Sequence, residues 1–129
     1  MSIKYEQRTV DLAAGISQQL SDLPHLHKEI EMIYVLNGNT AAFADNKRYD
    51  LSKGDLFIAF PNQIHYYYNE HPGEFALIIT KSDLLIGLKS LLNNIHFCIF
   101  RPSGRCPLRA PLLRVVAAFM NNIICSFNV

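Results

Sequence analysis

Hydrophobic positions along this chain change their period once, near Lys81. Ahead of that point, short apolar runs alternate with turn residues. The pattern predicts strands over 32–36, 40–44, 48–51, 56–60, 64–68 and 75–80. Asn37-Gly38 is a strong hairpin signal between the first two. Asp45-Asn46-Lys47, Ser52-Lys53-Gly54-Asp55 and His71-Pro72-Gly73 punctuate the rest. Strands separated by turns every ~8–12 residues predict a sandwich or barrel rather than a parallel α/β sheet. No helix long enough for a crossover interrupts them.

Beyond Lys81, Leu84, Leu85, Leu88, Leu91, Leu92 and Ile95 recur at helical spacing, with Ser82 or Asp83 placed to cap the start. A loop containing Pro102, Gly104 and Pro107 follows. Pro111 then stands where a helix favours its first residue, and Leu112, Val115, Val116, Phe119, Met120 and Ile123 form a broad apolar stripe. The chain is still apolar in "IICSFNV". Docking on the barrel is expected about as much as the alternatives, packing against a partner or belonging to a longer chain. The expected organisation is a β-barrel over 1–80 and a helical segment over 81–129.

Composition narrows the class. The 129 residues are 50% hydrophobic and 18% charged, which suits one globular domain with a core of its own. A net charge of +1 carries no electrostatic footprint for nucleic acid. Cys98, Cys106 and Cys125 are an odd number without CxxC spacing, as expected of reduced thiols in the cytoplasm. Neither a secretory leader nor an apolar run of about 18 residues is present, so a cytoplasmic protein with no membrane association is expected.

The candidate chemistry lies in "HLHKEIEMIYVLNG" and "GDLFIAFPNQIHYYYN". Extended residues alternate faces, so His25 and His27 point one way, and Glu31 joins them if the register holds. His65 arrives after a buried strand and a proline turn, which lets two distant strands converge inside a barrel. Three imidazoles with one carboxylate suit a divalent Zn, Ni, Fe, Mn or Co ion. The same groups also suit hydrogen bonding to a small polar ligand, or a structural network. Tyr67 and Asn69 share the His65 face and are candidate ligand contacts, whereas Tyr66 and Tyr68 face away. Glu29 lies between the motif positions and is expected to face solvent. No G-x-S-x-G elbow, phosphate loop or dinucleotide fingerprint occurs, so catalytic residues of those classes are not expected.

His25-x-His27, Glu31 four residues on, and Gly38 seven beyond that resemble the first motif of the cupin superfamily. Gly54 through Pro61 to His65 and Asn69 resembles the second. That resemblance, over about 24–80, implies a cupin double-stranded β-helix, or jelly-roll barrel, followed here by C-terminal α-helices. Gln19 stands where the family usually has glycine, and Pro61-Asn62-Gln63-Ile64-His65 is shorter than the enzymatic P-x-G-x-x-H pattern. In this, "EMIYVLNG" and "GDLFIAFPNQIH" are similar to the N-terminal sensor domains of AraC-type transcription regulators. The likeness implies a non-enzymatic domain that binds a small-molecule effector, with sugar as the family-level guess. It also implies a homodimer through the C-terminal helices. No basic recognition helix is visible, so this chain alone is not expected to bind DNA. The alternative is a stand-alone metal-dependent cupin enzyme of dioxygenase or isomerase type.

Overall fold

A computed structural model of the chain describes residues 2–7, 11–81 and 99–100. Its strands, in chain order, are β1 (Lys4–Tyr5), β2 (Leu12–Ser17), β3 (His25–Leu26), β4 (Ile30–Asn37) and β5 (Asn39–Ala44). There follow β6 (Lys47–Ser52), β7 (Leu56–Ala59), β8 (His65–Tyr68), β9 (Glu74–Thr80) and β10 (Ile99–Phe100). They form two five-stranded sheets, ordered β1-β3-β8-β5-β6 and β10-β7-β4-β9-β2. The architecture is the two-sheet jelly roll expected, and every strand expected between residues 32 and 80 is present. Both expected helices fall on residues outside those described; among the described residues there is no helix, and none long and apolar enough to cross a membrane.

The turns follow the residues that favour them. Gly38 adopts φ 88° between β4 and β5, a conformation glycine enters freely. Asp45 and Asn46 take φ 52° and 61° in the two-residue turn between β5 and β6, where Ala44 pairs with Lys47. Asp55 closes the β6–β7 turn by accepting from Ser52 N at 2.9 Å. Gly73 is required sterically: a Cβ there would sit 2.7 Å from the Asn37 carbonyl oxygen and from Phe75 Cζ.

The interior is filled by alternate residues of both sheets. Ile33 and Val35 of β4, Ala42 and Ala44 of β5, Leu51 of β6, Phe57 and Ala59 of β7, Tyr67 of β8 and Phe75 of β9 form one cluster with Leu20. The second sheet is apolar on its other face too, where Ile30, Met32, Leu56, Ile58, Ala76 and Ile78 are all buried. This is why β4 and β7 read as continuous apolar runs and not as an alternation. The first sheet has one wetter face, with Tyr68 exposed and Phe43 stacked on Tyr66 at 4.6 Å.

Strands β1, β2, β3 and β10 lie outside the runs that the sequence pattern predicts. Strand β2, "LAAGIS", pairs along its whole length with β9, although two alanines and a glycine give it little β-propensity. Strand β10 pairs with β7, so Ile99–Phe100 extends the second sheet.

Candidate metal centre

Glu31 continues the inward row of Ile33 and Val35 on β4, and His65 continues the inward row of Tyr67 on β8. Both rows run from apolar core to polar end. His25 of β3 lies directly opposite His65 in the antiparallel pair, and His27 follows just after β3. The turn between β7 and β8 is tied to this corner: Asn62 N donates to the His27 carbonyl at 2.7 Å. Gln63 Oε1 accepts from Phe60 N at 3.0 Å and braces the same turn. The proline turn thereby carries His65 across to face β4.

The four side chains converge, as their spacing predicts. All are buried, with His27 and His65 at 0% exposure. One potential ligand atom from each lies within 4.8 Å of those of the others. The Nε2 atoms of His25 and His27 stand 3.7 and 3.1 Å from Glu31 Oε2, and His65 Nε2 contacts the same oxygen. The rings of His25 and His65 lie 4.2 Å apart between centroids, and those of His27 and His65 5.0 Å apart.

Backbone carbonyls determine which nitrogen of each ring carries the proton. His25 Nδ1 is 2.8 Å from the Leu23 carbonyl, His65 Nδ1 is 2.8 Å from the Gln63 carbonyl, and His27 Nδ1 is 3.1 Å from the Glu29 carbonyl. A carbonyl only accepts, so each Nδ1 is the donor. A neutral ring then presents a lone pair at Nε2. Three lone pairs and a carboxylate oxygen therefore face one point, and acceptors facing acceptors repel unless a cation lies among them.

That cation is a proton or a metal ion. In the metal-free state the electrostatics favour protons. Burial alone would push the Glu31 carboxyl up, but hydrogen bonds from His25, His27 and His65, with the charge of His65, hold it well below the usual carboxylate range. Burial likewise works against a charged His25, yet its hydrogen bonds with Glu31 and the Leu23 carbonyl, and the charges of Glu31 and Glu6, raise its pKa.

The donor set also fits a metal. Ligands about 2.1 Å from one ion can lie no more than about 4.2 Å apart. The observed 4.8 Å span therefore needs only a small closing movement. Imidazole with carboxylate suits Zn, Fe, Ni, Co or Mn, and four protein donors leave an octahedral ion two open positions.

Tyr67 and Asn69 stand apart from this group. Tyr67 is 1% exposed and packs edge-on between His65, 6.0 Å away, and Phe57, 5.9 Å away. Asn69 Oδ1 accepts from Leu20 N and Thr40 Oγ1, both at 3.3 Å. It directly follows Tyr68, the last residue of β8, at the end of that strand opposite His65. Glu29, expected in solvent, is instead 1% exposed and lies behind His27, within the bend at Lys28 and Glu29. Its parity with His25, His27 and Glu31 was the signal available in the sequence.

Comparison with known proteins agrees with this architecture. The family model described as "Cupin domain" matches residues 8–80. The chain belongs to the cupin family. Among solved structures, a conserved protein of unknown function from Streptococcus pyogenes is similar at 17% identity and a TM-score of 0.51. The match covers 61% of this chain and 80% of that one. The Cnp3 cupin domain of Schizosaccharomyces pombe is similar at 12% identity and a TM-score of 0.50, over 66% of each chain. KdgF from a Halomonas species matches at 23% identity and a TM-score of 0.47, over 61% of this chain and 77% of that one. At these identities the first two show a likeness of fold alone. No curated protein matches the chain.

Proposed function

We propose that this cupin domain holds a divalent transition metal at His25, His27, Glu31 and His65, and that the metal centre reads a small polar effector as the sensor of an AraC-type regulator. The observation that carries the metal reading is the convergence of three Nε2 atoms on Glu31 Oε2 while backbone carbonyls face all three Nδ1 atoms. The sensor reading rests on "EMIYVLNG" and "GDLFIAFPNQIH". A bound ion would supply a Lewis-acidic position for an oxygen or nitrogen of the effector. The protein's own residues orient that position and exclude water around it. An effector with different affinity for two arrangements of the segment beyond Lys81 would shift their populations.

Metal analysis of the purified protein beside His27→Ala tests this. Stoichiometric metal in the wild type, lost in the variant, is the expected result. Protein prepared without chelator that carries no metal, and takes up none on titration, overturns it.

A complete set of three histidines and one glutamate also supports a second reading, a metal-dependent cupin enzyme. Turnover of a small organic substrate or of oxygen by the metal-loaded protein would favour that reading over the sensor.

A further inference from the structure

Behind His27, on the side away from Glu31, lies a carboxyl group that the four-residue centre does not use. Glu29 is 1% exposed. Neither of its oxygens has a hydrogen-bond partner among the described residues. Its Oε2 stands 3.7 Å from His27 Nδ1, the nitrogen that also donates to the Glu29 backbone carbonyl at 3.1 Å. A carboxyl group buried in this way costs stability, so its presence in the core calls for a compensating role.

We infer that Glu29 is a positioning residue for the metal: its carboxyl group backs His27 Nδ1, orienting the ring and making Nε2 a stronger donor to the cation. When a metal takes the Nε2 lone pair, it draws electron density from the Nδ1–H, and an acceptor behind that hydrogen strengthens in response. Glu29 offers two such acceptors, its main-chain carbonyl and its side chain. His25 and His65 are served differently. Their ion pairs run through Nε2 to Glu31, and their Nδ1 atoms meet the Leu23 and Gln63 carbonyls. His27 is therefore the ligand with a carboxyl group on both sides. The buried cost of Glu29 is carried by the metal-free fold and offset when the ion binds. The inference rests on the metal reading above.

The test uses the full chain, Glu29→Gln and Glu29→Met, each titrated with Co(II) and melted without metal. Outer partners of metal-binding histidines typically alter affinity by about 10- to 100-fold. Both variants should bind Co(II) more weakly by that order and show shifted visible bands. Their metal-free melting temperatures should be equal to or above the wild type's, since an unpartnered carboxyl has gone. Wild-type uptake of Co(II) with unchanged affinity in both variants overturns the role of Glu29 and leaves the metal centre standing. Affinity lost together with metal-free stability also overturns it, because Glu29 would then be a packing residue. A wild type that takes up no Co(II) overturns the metal reading and this inference with it.

Discussion

His25 and Glu31 titrate away from their ordinary values in opposite directions, which gives the metal-free protein a defined pH window. A raised His25 pKa means its contribution is fully present below the unfolded value of 6.5 and is lost as pH rises through the folded value. A lowered Glu31 pKa means its contribution is present above the unfolded value of 4.5 and is lost as pH falls through the folded value. Chelator-treated protein should therefore melt at lower temperature as pH rises from about 6 to about 8. Metal-loaded protein should show the opposite slope, because protons compete with the ion for Nε2. Differential scanning calorimetry across that range checks both, and parallel slopes with and without metal would contradict the assignment. The convergence of His25, His27, Glu31 and His65 was legible because a period of two survives in any extended stretch. Glu29 shares their parity and is buried with them, but a glutamate is ordinarily solvated, so residue type pointed away from what the alternation showed.

At the scale of elements, legibility followed how firmly each strand is marked by its own residues. Strands β4 to β8 carry β-branched or aromatic side chains and are followed within two residues by glycine, proline, asparagine or aspartate. Their turns emerged where those residues stand. Strand β2 carries neither signal strongly, and its partner β9 supplies the order it lacks. The β4–β5 hairpin shows how closely two turns depend on each other. Gly38 and Gly73 face one another, and a Cβ on Gly38 would lie 3.1 Å from Gly73 Cα. Gly73→Ala would drive a methyl group into the Asn37 carbonyl and Phe75, for which overpacking costs of about 1–3 kcal/mol are the expected order. Urea unfolding should show that loss while metal stoichiometry stays at the wild-type value, since the clash lies away from the histidine corner. A variant as stable as the wild type would show that the hairpin yields without cost.

For the whole molecule, the barrel was readable from the order of short strands, and the family match over residues 8–80 agrees with it. Why the second sheet is buried on both faces was less readable: a continuous apolar run suits a doubly covered strand but does not say what covers it. The predicted helices beyond Lys81 lie outside the described residues, and the dimer assigned to them is a proposal. It predicts a dimer at tens of micromolar protein by light scattering, converted to monomer by Leu112→Asp with Val116→Asp. A wild-type monomer at that concentration, unchanged by the substitutions, removes this seam. The candidate metal centre meanwhile brings together residues that the sequence leaves far apart. His65 and Glu31 are 34 residues apart and belong to different sheets. One ion held by both would act as a reversible cross-link, closing a long loop in the folded chain without a covalent bond. Metal supply would then govern how long the native barrel survives a protease as well as whether the site works, because the two sheets cannot part at that corner until the ion has been released.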